Sequence, residues 1–210
     1  QAFHGLVRQL LAESEERLAI WRADLAAVLG ANGGVLTEVM PEIELILGKQ
    51  PPVPAVGPTE ALNRFQMVFQ NFVGTIASRE HPLVIFLDDL QWADSATLSL
   101  LQPLLTSREI TALFLIGAYR DNEVDAGHPL TRVFSELETA GTKLHRVMLG
   151  PLGLADLTLL IRDSLRSSLE AAEPLARLVL QKTGGNPFFV IQFLKAWEQE
   201  GFLRFDPAQA

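Results

Sequence analysis

Apolar residues recur at helical spacing through the first 47 positions of the chain. Phe3, Leu6, Val7, Leu10 and Leu11 form one stripe at the i, i+3, i+4 spacing of an amphipathic helix. No capping residue precedes it, so the chain is expected to open inside an element of something longer. Leu18, Trp21, Leu25, Val28 and Leu29 form a second stripe, which Gly30, Asn32, Gly33 and Gly34 are expected to stop. Val39, Met40, Ile43 and Leu47 suggest a third, interrupted near Pro41. Residues 48–58 hold Pro51, Pro52, Pro54 and Pro58, which fix φ and remove donors, so the segment reads as an extended connector. A long helix comes next, with Leu62, Phe65, Phe69, Phe72, Val73 and Ile76 on one face.

The pattern then changes. Residues 83–87 are apolar at every position, the pattern of a strand buried on both faces of a parallel sheet. Asp88 and Asp89 end it. Residues 95–106 return to helical spacing, with Leu98, Leu101 and Leu105 inward. Residues 113–118 read as a second buried strand, ended by Tyr119, Arg120 and Asp121. A helix is predicted over 129–140, with Pro129 in its first turn. Residues 144–149 read as a third strand, less apolar and nearer a sheet edge. Strand, helix, strand, helix, strand is the order of an α/β layered domain. After Pro151 the strands stop, and helices are predicted over 152–169, 174–183 and 188–200. The chain therefore divides into a helical segment and connector (1–58), an α/β core (59–150) and an all-helical part (151–210).

Composition narrows the function classes. The chain has 210 residues, 48% hydrophobic and 20% charged, a balance that supports a sizeable soluble core. A net charge of −8 argues against nucleic acid or anionic lipid as a whole-surface partner. There is no cysteine, hence no disulfide framework and no thiolate metal site. No apolar run approaches the length needed to cross a bilayer, and the first residues do not read as a signal peptide, so the expected setting is cytoplasmic, without a membrane partner. His4, His81, His128 and His145 lack metal-ligand spacing and receive no role.

The candidate chemistry lies at the strand ends, where open parallel sheets bind ligands. An apolar strand followed by two acids places carboxylate oxygen where phosphoryl transfer needs a Mg²⁺. A second carboxylate beside it can orient or deprotonate an attacking water. Asp88 is thus the candidate Mg²⁺ ligand and, with Asp89, a candidate catalytic acid; the alternative is a pair of ordinary loop acids. Arg120 ends the next strand, where a cation reaches a γ-phosphate; the alternative is a surface arginine paired with Asp121 or Glu123. Asp94 is read as the N-cap of the helix at Ser95. Trp92 is expected to pack under the sheet edge. Gly184-Gly185-Asn186-Pro187 is explained structurally, glycine closing one helix and asparagine capping the next with proline at its first position.

LVIFLDDLQWAD at 83–94 resembles the Walker B segment of STAND-class ATPases. LFLIGAYRDNEV at 113–124 resembles their sensor 1 strand, and KTGGNPFF at 182–189 the GxP motif of their lid. GKQPPVPAVGPTEALNRF at 48–65 resembles the ATPase module of large bacterial sensor kinases, where a Ser/Thr-kinase-like domain precedes it and GAF and histidine-kinase domains come after. The resemblance implies a P-loop NTPase of the ASCE type, a parallel sheet with flanking helices, followed by a helical lid. It implies ATP or ADP and Mg²⁺ as ligands, linked kinase and sensor domains as partners, and Pro187 against the nucleotide base. One departure matters: no GxxxxGK[ST] loop occurs. That loop, with its strand and helix, is expected upstream of Gln1, leaving a truncated sheet. The implied function is an ATP-hydrolysing signalling switch. The alternatives are a non-catalytic, nucleotide-dependent scaffold and a relative of replication initiators, whose winged helix could begin at 200–205.

Overall fold

The computed structural model of the chain describes residues 2–202. It divides into two compact units, 1–144 and 145–210.

The first unit begins with helices α1 (Ala2–Leu11), α2 (Glu15–Leu29), α3 (Gly33–Val39) and α4 (Glu44–Leu47). Ser14 caps α2 by accepting from the Arg17 amide, and Gly30 closes it at φ 51°. Gly33 and Gly34 do not stop the helical run; they start α3, both buried. Their lack of side chains is what the packing requires. A Cβ at Gly34 would lie 2.7 Å from Val53 Cγ2 and 2.9 Å from the Pro51 carbonyl oxygen. The proline-rich connector thus lies directly on α3, without secondary structure through residue 57. Pro58 is the first residue of α5 (Pro58–Ile76), where its missing N–H costs nothing. The apolar face of α5 buries Val68, Phe69, Phe72, Val73 and Ile76 against Val7, Leu25, Leu36 and Ile46, one continuous core.

Strands β1 (Leu83–Leu87) and β2 (Leu113–Gly117) pair in parallel, Leu83 opposite Leu113 and Leu87 opposite Gly117. Between them runs α6 (Ser95–Thr106), and after β2 comes α7 (Pro129–Thr139). Leu98, Leu101, Leu130, Val133 and Leu137 form a second core, onto which Leu87 and Leu115 pack. The sheet is covered on one face only among the described residues. Ile85 is buried, whereas Val84, Phe86, Phe114 and Ile116 are exposed on the other face. The expectation of strands buried on both sides is therefore corrected. A continuous apolar run does not show which elements cover each face.

The predicted third strand is also corrected. Residues 144–149 carry no strand, and Val147, Met148 and Leu149 are 80%, 76% and 90% exposed. A strand exists through its ladder partner, and the sheet consists of β1 and β2 alone among the described residues.

The second unit is helical: α8 (Leu154–Leu165), α9 (Leu169–Thr183) and α10 (Pro187–Gln199) around Leu157, Ile161, Ala176, Val179 and Val190. Its first two helices divide earlier than their pattern suggested. Arg166 turns left-handed at φ 51°, and Ser168 caps α9 by accepting from the Ala171 amide. Pro174, expected to open this helix, lies inside it. The segment 200–205 considered as a wing runs into residues 203–210, outside the described residues.

Candidate functional site: the paired strand ends

The ladder outlasts both strands. The Ala118 N–H donates to the Leu87 carbonyl at 2.8 Å, and the Leu90 N–H to the Ala118 carbonyl at 3.0 Å. These bonds hold the segment after β1 beside the segment after β2. Gly117 makes the approach possible: a Cβ there would sit 2.6 Å from Leu90 Cδ1. The segment that carries Asp88 and Asp89 is thereby held beside the one that leads to Arg120.

Asp89 has φ 52° and ψ 42°, a left-handed conformation uncommon outside glycine, asparagine and aspartate. Backbone of this kind costs energy and persists only where surrounding contacts hold it. Here the contacts are visible. The Asp89 N–H donates to Asp88 Oδ1 at 2.9 Å, and Gln91 Nε2 donates to Asp89 Oδ1 at 2.9 Å. Both carboxylates thus have one oxygen fixed by the protein, and their second oxygens make no hydrogen bond among the described residues. No group of three or more acids or histidines gathers anywhere among the described residues. The site suits a cation that keeps most of its ligands as water or phosphate oxygen, and Mg²⁺ has that habit, using one or two carboxylates. A dehydrated, all-protein cage does not fit.

Arg120 is exposed and pairs with Glu123 Oε1 at 3.1 Å. Its guanidinium also lies 5.3 Å from the centre of the Trp92 ring. Trp92 does not pack under the sheet edge as expected; it is 66% exposed.

Asp94 caps α6, its Oδ1 accepting from the Thr97 amide at 2.6 Å. That hydrogen bond to the ionised carboxylate holds its pKa below the usual aspartate value. The stabilisation is present above the unfolded-state pKa and is lost as pH falls through the lowered folded value. Asp94→Ala is therefore expected to lower the melting temperature at neutral pH. The gap to the parent should close at the acid end, as melting curves across pH will show.

Pro187 is the first residue of α10 in the second unit, preceded by Asn186, whose side chain accepts from the Phe188 amide at 3.0 Å. Gly184 closes α9 at φ 60°. The structural explanation of this tetrapeptide stands.

Two participants were missed by the sequence. Gln91, 6% exposed, bridges Asp89 to the Arg120 amide N–H, which donates to its Oε1 at 3.2 Å. His128, given no role, contacts the Gln91 carbonyl through Nε2 at 3.1 Å and caps α7 through Nδ1, which accepts from the Leu130 amide at 3.1 Å. Its position before Pro129 was a capping signal; nothing local announced Gln91.

A parallel strand pair flanked by helices places the chain in the mixed α/β class. The chain belongs to the AAA ATPase domain family, whose pattern matches residues 1–116. It is similar to hybrid signal transduction histidine kinase G of Dictyostelium discoideum, 26% identical over 98% of this chain. The chain spans 8% of that relative's length. No solved structure matches it. Among the described residues no helix is long and apolar enough to cross a membrane.

Proposed function

We propose that this chain is part of an ATP-binding and ATP-hydrolysing switch of the STAND type, within a cytoplasmic, multidomain bacterial sensor kinase or regulator. The observation that carries the reading is that Asp88 and Asp89 come directly after one strand and Arg120 after its parallel partner, the two segments being joined by backbone bonds and by the Gln91 amide. Asp88 would hold Mg²⁺, which would neutralise charge on the β- and γ-phosphates. Asp89 would orient the attacking water and take its proton. The chain has no glycine-rich phosphate loop, so the donors that cradle the triphosphate would come from elsewhere in the full-length protein. Residues 151–210 would act as the lid, with Pro187 against the base.

Arg120 would sense the γ-phosphate. Its present partners hold it weakly: an exposed ion pair is worth about 0–1 kcal/mol, and an exposed cation–π contact about 0.5–1 kcal/mol. A phosphate oxygen offers stronger, charge-assisted bonds. Because only ATP carries the γ-phosphate, Arg120→Ala should weaken ATP more than ADP, by about 1–3 kcal/mol, the usual size of a coupling between sites. Pro187→Ala should weaken both alike. Calorimetric titration of the full-length protein with each nucleotide measures this, and equal losses for Arg120→Ala would reduce it to a surface charge.

The second reading is a non-catalytic scaffold that nucleotide props in one state. Tight ATP binding without Mg²⁺-dependent turnover in the full-length protein would favour it; failure to bind either nucleotide would overturn both.

A further inference from the structure

We infer that Gln91 is a positioning residue that fixes the Asp89 carboxylate to the backbone of Arg120, so that the acid and the phosphate sensor move as one unit. The inference rests on the roles proposed for Asp89 and Arg120.

Gln91 and Thr158 are the buried polar residues among the described ones. Thr158 is satisfied within its own helix, its hydroxyl donating to the Leu154 carbonyl. Gln91 instead spends both ends of its amide on different segments. A backbone N–H only donates, so the group facing the Arg120 amide must be Oε1. The amide orientation is set by the network, and Nε2 necessarily faces Asp89 Oδ1. The main chain of Gln91 is held as well. Its carbonyl accepts from His128 Nε2, while His128 Nδ1 accepts from the Leu130 amide. One neutral tautomer, protonated at Nε2, satisfies both bonds.

Three segments therefore meet at one residue: the left-handed turn after β1, the end of β2, and the first turn of α7. The bond to Asp89 does two things. It selects one rotamer of the carboxylate, and it leaves the second oxygen free to meet water. The bond to the Arg120 amide ties that rotamer to the strand end whose side chain would reach the γ-phosphate. A shift of that strand end on nucleotide exchange would pull on Asp89 through a single buried amide. This coupling needs no contact between Gln91 and nucleotide.

Two variants separate the bonds. Gln91→Met keeps length and volume and loses both; Gln91→Glu keeps an acceptor for the Arg120 amide and loses the donor to Asp89. In the full-length protein both should lower kcat roughly 10- to 100-fold, the worth of a hydrogen bond to a charged group. KM for ATP should change little. Amide exchange at Arg120 should accelerate in Gln91→Met and stay slow in Gln91→Glu. Added to Asp89→Asn, neither variant should lower the rate further. If Gln91→Met fails to fold, Gln91→Glu carries the test. Parent-like turnover in Gln91→Glu, or a loss confined to KM, overturns the inference while an inactive Asp89→Asn keeps the function proposal standing. Parent-like turnover in Asp89→Asn sinks the inference and the role given to Asp89 together, and moves water activation to another acid.

Discussion

Replacing Asp89 by asparagine in the full-length protein is expected to lower ATP turnover by roughly 10²- to 10⁴-fold, the usual contribution of a positioned general base. ATP affinity should hold. The substitution is unusually clean because of the local geometry. Asparagine tolerates the left-handed backbone that Asp89 occupies. Its side-chain oxygen can still accept from Gln91 Nε2, so the turn, the buried amide and the Arg120 contact all survive. The variant loses the negative charge and the ability to take a proton. Steady-state hydrolysis beside equilibrium binding checks the prediction. A rate close to the parent's would move water activation elsewhere, with Asp94 the next acid to test.

The second large effect concerns folding. Phe72 is fully buried at the centre of the first core and stacks near Phe69 with ring centroids 6.4 Å apart. Phe72→Ala removes the ring and leaves a cavity lined by neighbours on several helices, which cannot all close in. The expected cost is about 3–5 kcal/mol. That is a large part of the roughly 5–15 kcal/mol that typically separates folded from unfolded states. Urea unfolding of the variant beside the parent measures it. A loss under about 0.5 kcal/mol, the level of an ordinary surface change, would mean that α5 does not pack as described. Phe65, half-buried on the same helix and stacked on Phe69, should cost less.

Periodicity made most elements legible because burial here tracks spacing. The stripe at Phe69, Phe72, Val73 and Ile76 is buried as the pattern of α5 required. The runs at 83–87 and 113–117 are strands, paired in parallel. Several readings failed, three of them for reasons that are local to one element. Residues 144–149 hold enough apolar positions to suggest an edge strand but have no ladder to join among the described residues, and pairing is a property of neighbours, not of the segment. Gly33 and Gly34 look like breakers, yet the connector's approach turns their missing side chains into a packing requirement. Pro174 looks like a helix start, but Ser168 supplies the cap earlier.

The acids and the arginine were visible because each sits directly after an apolar run, at the carboxyl end of a strand. Gln91 was not, because its meaning comes from partners on other segments. The Arg120 amide is 29 residues away and the His128 ring 37. No local pattern encodes a buried amide that bridges two loops. Trp92 was misplaced for a related reason: the sequence does not show that Asp89 turns left-handed, with Leu90 and Gln91 buried and Trp92 exposed after it.

The exposed indole of Trp92 has a practical consequence. The chain has three tryptophans. Trp21 is buried in the first core, and Trp197 packs between Phe193 and Phe202. Trp92 alone stands in solvent with a guanidinium resting against it. Its emission should therefore be the reddest of the three and the most sensitive to what Arg120 does. If ATP draws Arg120 away, the intensity and wavelength of that one fluorophore should change, and ADP should change them less. The protein carries its own optical probe at the strand end, so Arg120 can be timed in a stopped-flow instrument without any label, with Trp92→Phe as the blank.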